Sequence, residues 1–198
     1  EAVINDRYKQ DKTFEPILGN NYRMTELQAA VAVGQLKKLK RLNQHRISLA
    51  NHLTKQLRRF NWLLPPEVDK NQTHVYFTYA MRFLSDKIGI QRSTFKKSMN
   101  AEGFIVVEGY QEPIYLFPIY QKKQIYQNSS FPFISKEFKN NTNYAKGICP
   151  VAERMYEKEL VLTNICMSPQ TKKEIDLFVT GLDKIQSNIR ELKKYESK

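Results

Sequence analysis

Cysteine is scarce: Cys149 and Cys166 are the only two in 198 residues. Two thiols so far apart supply neither a disulfide framework nor a zinc site, so free thiols in a reducing cytoplasm are the expectation. No run of about eighteen apolar residues occurs, which leaves no candidate for a membrane-spanning helix. No charged-then-apolar leader opens the chain, so no secretory signal is expected. The start at Glu1 rather than Met reads as a piece of a longer protein. Also missing are a Gly-rich phosphate loop, a His-Glu-x-x-His metal motif and a Gly-x-Ser-x-Gly nucleophile elbow. Neither a metal site nor an internal repeat is predicted.

What is there suits a folded protein with one sizeable core, or one core plus an extension. Hydrophobic residues make up 41% and aromatics 12%, too much for a disordered chain. The net charge of +12 fits nucleic acid, an acidic membrane surface or anionic small molecules. Its 32 Lys and Arg are spread along the whole length, the pattern of a solvated surface rather than a binding stripe. A basic regulatory or nucleic-acid-binding module therefore stays as the alternative function, without a helix-turn-helix, RNP or zinc pattern to support it. A cofactor-free interaction domain that dimerises through its first helix is a third.

Residues 1–18 are polar and read as an extended or loop segment. Thr25 and Gln28 stand at capping-box spacing ahead of a proline-free run to about Phe60. Leu27, Ala30, Val31, Leu39, Leu42, Leu49, Leu53 and Leu57 recur in that run at helical spacing. Gly34 is its weak point, at about 1 kcal/mol relative to alanine. Lys37, Lys38, Lys40, Arg41, Arg46, Lys55, Arg58 and Arg59 form its polar face. Just ahead of the cap, Gly19, Asn20, Asn21 and Arg23 put amide and guanidinium donors beside a helix N-terminus. That arrangement suits an oxyanion or phosphate, or an ordinary cap whose Arg23 pairs with a local carboxylate.

Pro65 and Pro66 end the helix. Residues 73–84 read as a strand, with Val75, Phe77, Tyr79 and Met81 on one face and Tyr76, Thr78, Ala80 and Arg82 on the other. His74, near its start, reads as an ordinary hydrogen-bonded histidine. A short helix capped by Ser93 runs to about Met99, Gly103 ends it, and a strand over 104–107 follows. Pro113 and Pro118 pin an aromatic loop over 109–120 and disfavour helix there. Residues 121–146 read as a long loop. Pro150 opens a short helix on which Glu153 and Arg154 pair at the surface, and 160–162 form a strand. Thr171 and Glu174 cap a last helix carrying Ile175, Phe178, Val179, Leu182, Ile185, Ile189 and Leu192, with fraying from Lys193.

Asn-Tyr-Arg-Met-Thr-Glu-Leu-Gln-Ala-Ala over 21–30, followed by Gln35-Leu36-Lys37-Lys38-Leu39, resembles the signature of the DegT/DnrJ/StrS family. These are pyridoxal-phosphate-dependent aminotransferases of keto sugars and keto-cyclitols. Segments 74–83, 102–120, 147–162 and the closing helix follow in the family's order. The resemblance implies an α+β chain, the small C-terminal domain of a fold-type I aminotransferase: a long first helix, a small antiparallel sheet packed with helices, and a long last helix. Residues 1–60 would close the large domain and make the connecting helix, and 61–198 the small domain.

It further implies that Asn21 and Arg23 hold the phosphate of pyridoxal 5'-phosphate in the partner subunit of a homodimer. Tyr22, Tyr110 and Tyr115 would lie on the substrate side, with Leu116 standing where an arginine often follows the tyrosine. The substrate would be a nucleotide-linked keto sugar or a keto-cyclitol, and the donor glutamate or glutamine. The family's cofactor-anchoring lysine and ring-nitrogen carboxylate lie upstream of the Asn-Tyr-Arg turn. No catalytic residue is therefore assigned, and these residues alone are expected to be inactive and not to retain the cofactor.

Overall fold

The computed structural model describes residues 22–126, 129–135 and 142–197. The expectation for residues 1–18, and Asn21, lie outside the described residues. Contacts divide the chain into two compact units, residues 1–39 and 40–198.

Helix α1 (Glu26–Leu57) begins where the capping box placed it. The Thr25 backbone N–H donates to Gln28 Oε1 (3.1 Å), and the Gln28 N–H donates to Thr25 Oγ1 (3.3 Å). The predicted apolar stripe is buried only toward its end, at Leu49, Leu53 and Leu57. In the first unit Leu27 is 82% exposed, and Val31, Leu36 and Leu39 are exposed with it. Periodicity marks a face able to be buried; it does not supply the surface that buries it. Lys37, Lys38, Lys40, Arg41, Lys55, Arg58 and Arg59 are exposed, as a solvated face requires.

The second unit is built on a four-stranded antiparallel sheet: β1 (Leu63–Leu64), β2 (Tyr79–Phe83), β3 (Val107–Glu108) and β4 (Leu160–Thr163), in the order β1-β2-β4-β3. β4 is interior, pairing Ala80 with Leu162 on one side and Val107 with Leu162 on the other. The expected strand over 73–84 is thus shortened to its last five residues. Tyr76 takes a positive φ of 50°, which breaks the two-residue alternation. Tyr79, Met81 and Phe83 stay on the buried face, Tyr76 is buried too, and Val75 and Phe77 are turned outward. His74 Nδ1 accepts the Tyr76 N–H at 2.9 Å, the structural role expected of it.

Helices α2 (Ser85–Ile88) and α3 (Arg92–Ala101) follow β2. Gln91, not Ser93, is the N-cap of α3, and its backbone N–H is met by Glu196 Oε1 at 2.7 Å. Phe95 of α3 stacks on Phe83 (ring centroids 4.9 Å) and meets Trp62 edge-on (5.7 Å), so strand and helix share an aromatic centre. The long closing helix is two: α6 (Lys172–Ser187) and α7 (Ile189–Glu196), divided at Asn188, whose side chain bonds back to the Lys184 carbonyl. Its predicted Thr171/Glu174 capping box is present. Residues 193–196 are helical rather than frayed, with Glu196 tied to Gln91.

Between α3 and β4 come a 3₁₀ turn (Ile114–Leu116), α4 (Pro118–Gln121) and α5 (Pro150–Arg154), the last running into a π-helical turn (Met155–Glu159). Helix within 109–120 contradicts the expectation for the proline-pinned loop. Pro118 sits at the first turn of α4, where its missing N–H costs nothing, and only Phe117 before it is forced to be extended.

Arg92, at the first position of α3, joins these pieces. Its Nη1 donates to the carbonyls of Tyr156 (2.9 Å), Leu160 (3.1 Å) and, more weakly, Met155 (3.4 Å); Nη2 donates to Glu157 (2.9 Å). Its Nε lies 3.5 Å from Glu108 on β3. The carbonyls of Tyr156 and Glu157 lie in the last turn before β4, where a helix runs out of N–H donors, and one planar guanidinium gathers them together with Leu160 O. Arg92→Lys should destabilise the second unit by about 1.5–3 kcal/mol, because an ammonium cannot serve the same acceptors at once. Denaturant unfolding of the two proteins measures the difference.

Candidate functional site

The candidate residues fall in both units. In the first, Tyr22 is 88% exposed and Arg23 is exposed beside it, three residues ahead of Glu26 at the start of α1. The capping box consumes the N–H groups of Thr25 and Gln28, so the cap itself is structural. Arg23 places a cation next to a helix N-terminus, a residue type whose chemistry suits a phosphate dianion.

In the second unit the aromatic loop starts at Gly109, whose φ is +56° and whose backbone lies against Tyr156. A Cβ there would come within 3.0 Å of the Tyr156 ring and 3.1 Å of its carbonyl, so only glycine fits. Gly109 N–H donates to Leu160 O at 2.8 Å, continuing the β3–β4 pairing into the loop. Past it, Tyr110 is 69% exposed and Ile114 62% exposed, whereas Tyr115 is half-buried.

Tyr115 is held at both ends. Its hydroxyl donates to Glu153 Oε1 at 2.5 Å, and its carbonyl accepts from Gln121 Nε2 at 2.7 Å. The same Gln121 amide donates to Tyr144 O at 2.6 Å, and Glu153 Oε1 also accepts the Gly147 N–H at 2.7 Å. The structure corrects the expected surface pair of Glu153 with Arg154. Adjacent helical residues point about 100° apart, so Glu153 turns inward at 7% exposure while Arg154 pairs with Glu159 at 2.9 Å. Neither Glu153 nor Gln121 was legible as part of this site, because each acts on a residue distant in sequence.

The hydrogen bonds set the electrostatics. The Tyr115 hydroxyl, then the Gly147 N–H, hold the Glu153 carboxyl below the usual carboxylate range. Burial, reinforced by the adjacent carboxylate, pushes the Tyr115 phenol up. Cys149 is exposed; Cys166 is buried and its thiol is pushed up to about 12 by burial, which leaves it unreactive. Among the described residues no group of three His, Cys, Asp or Glu side chains is placed to hold a metal, and no helix is long and apolar enough to cross a membrane.

A carboxyl whose folded pKa is depressed stabilises the fold above its unfolded pKa and ceases to do so as pH falls through the folded value. Wild type should therefore exceed Glu153→Gln in stability at neutral pH, with the gap closing below the ordinary carboxylate range. Unfolding midpoints of both proteins across pH 2–7 (roughly the span of carboxylate titration) measure this.

The sequence pattern of the DegT/DnrJ/EryC1/StrS aminotransferase family matches residues 3–136. The spore coat polysaccharide biosynthesis protein SpsC of Bacillus subtilis is 27% identical over 128 residues, covering 65% of this chain and 31% of SpsC. A Streptoalloteichus tenebrarius protein assigned as an L-glutamine:3-amino-2,3-dideoxy-scyllo-inosose aminotransferase is 26% identical over 185 residues, covering 89% of this chain and 42% of that protein. The chain thus spans well under half the length of these relatives. Among solved structures, an aminotransferase from Psychrobacter cryohalolentis superposes with a TM-score of 0.65 at 21% identity, covering 88% of this chain and 42% of that one. This likeness identifies the α+β fold as one found in aminotransferases. With the family's pattern matched over more than half its residues, the chain belongs to the DegT/DnrJ/EryC1/StrS aminotransferase family.

Proposed function

We propose that this chain is the C-terminal part of a pyridoxal-phosphate-dependent aminotransferase that aminates a nucleotide-linked keto sugar or a keto-cyclitol, acting in the cytoplasm as a homodimer. The observation that carries the reading is the Asn-Tyr-Arg turn leading into the capped helix α1, within a family match that runs on through the aromatic loop. SpsC by its name serves polysaccharide biosynthesis, and the Streptoalloteichus relative by its name aminates a cyclitol ketone. Those two names frame the substrate class.

When bound, pyridoxal phosphate supplies the electron sink through which an amino group passes from glutamate or glutamine to a ketone. On this reading residues 1–60 end a large domain and form the connecting helix, and 61–198 are the small domain. Asn21 and Arg23 hold the phosphate of a cofactor anchored in the partner subunit, Arg23 by a charge-assisted bond. Tyr22, Tyr110 and Tyr115 offer aromatic faces to the acceptor. The lysine that anchors the cofactor and the carboxylate that keeps its ring nitrogen protonated belong to the upstream portion, so residues 1–198 by themselves neither retain the cofactor nor turn over.

The full-length protein mixed with pyridoxal phosphate should show the visible absorbance of lysine-bound cofactor, and glutamate or glutamine should bleach it. Arg23→Ala should weaken cofactor retention about 10- to 100-fold, the loss of one charge-assisted hydrogen bond. A full-length protein without that absorbance contradicts the reading.

A further inference from the structure

Glu153 is a buried carboxylate outside the residues named above, and its two bonds converge on a single oxygen. One comes from Tyr115 on the 3₁₀ turn, the other from the backbone of Gly147, and the carboxylate itself rides on α5. The 3₁₀ turn and the segment 147–153, distant from it in sequence, therefore meet at one atom. The Tyr115 hydroxyl is already spent as a donor, so Tyr115 can offer a ligand its ring and not its proton. With the ring drawn inward, Tyr110 and Ile114 on the same loop are left facing outward.

We propose that Glu153 is a positioning residue: it fixes Tyr115, and through Tyr115 the loop that presents Tyr110 and Ile114 to the acceptor ketone. This rests on the aminotransferase reading above and adds to it a specificity element. A loop tied at the Tyr115 hydroxyl and, through Gln121, at the Tyr115 carbonyl has lost its freedom before the acceptor arrives, so the acceptor does not bear the cost of ordering it. The amino donor, a small amino acid, needs less of that surface than a nucleotide-linked sugar or a cyclitol. Loosening the latch should raise KM for the acceptor and spare the donor half of the reaction.

The test uses the full-length enzyme with Tyr115→Phe, Glu153→Ala and Glu153→Gln. Hydrogen exchange of the peptide over 110–121 reports the loop, and stopped-flow absorbance with L-glutamate and L-glutamine reports the donor half-reaction. Steady-state amination of a thymidine-diphosphate-linked 4-keto-6-deoxyglucose and of scyllo-inosose reports the acceptor. Tyr115→Phe and Glu153→Ala should exchange about tenfold faster over 110–121 and raise acceptor KM about tenfold, and Glu153→Ala should keep the donor half-reaction within about twofold of wild type. Glu153→Gln, whose amide oxygen can accept both bonds, should restore exchange and KM to within about threefold.

Unchanged exchange in both disruptive variants overturns the latch. Faster exchange with unmoved acceptor KM, or with donor and acceptor impaired equally, overturns the specificity role and leaves a structural tie. A wild type that responds to neither amino donor, or aminates neither ketone, overturns the functional reading itself, and with it the role of Glu153 in acceptor binding.

Discussion

The second unit depends on Arg92. Its guanidinium lies across the point where α5, the π-helical turn and β4 succeed one another, donating to the backbone carbonyls of Tyr156, Glu157 and Leu160 and facing Glu108 of β3. The first two stand in the last turn of a helix, where carbonyls run out of N–H donors, next to a strand that must enter the middle of a sheet. A buried cation is costly unless it is paired and hydrogen-bonded, and here both Nη atoms donate to carbonyls while Nε faces the Glu108 carboxylate at 3.5 Å. Strand β4 can then pair on both sides at once. The Arg92 bonds fix where β4 begins, and with it where α5 stands.

The position of α5 in turn sets the candidate site. Glu153 is one residue before the end of α5, so holding α5 holds the acceptor of the Tyr115 hydroxyl. From the other side, Gly109 passes the β3–β4 pairing directly into the aromatic loop through its bond to Leu160 O, an oxygen that also accepts from Arg92. The loop is thereby referenced to the sheet at its start and to α5 at Tyr115. A segment that carries Tyr110, Ile114 and Tyr115 among its large side chains would otherwise have many conformations to lose on meeting a ligand. The proposed function draws on that loop in one unit and on the residues just ahead of α1 in the other.

Local chemistry was legible in the sequence. Both capping boxes, Thr25 with Gln28 and Thr171 with Glu174, form as their spacing predicted, because every atom involved lies within one turn. The wording of residues 21–39 marked the family, which the match over 3–136 bears out. Elements defined by distant partners were not legible. Strand β1 is two residues long and exists only because Leu63 and Leu64 pair with Phe83 and Arg82. Tyr76 reverses the alternation of its segment through one positive φ, which no periodicity encodes in a tyrosine. Pro118 reads as a breaker in the sequence yet starts a helix, since proline carries both meanings and the local sequence does not choose. Glu153 looked like half of a surface pair because sequence adjacency suggests a partner that helical geometry forbids.

The two proposed roles differ in what they ask of the chain. Acceptor recognition draws on the second unit's loop together with Tyr22, whereas phosphate binding by Asn21 and Arg23 requires a cofactor anchored by another subunit. That requirement is the central claim, and a crystal structure of the full-length protein loaded with pyridoxal phosphate tests it most directly. The account predicts Arg23 within hydrogen-bonding distance of the phosphate of a cofactor whose anchoring lysine belongs to the partner subunit. A phosphate held wholly by the subunit that carries the lysine, with Arg23 turned toward a carboxylate of its own chain, would contradict it.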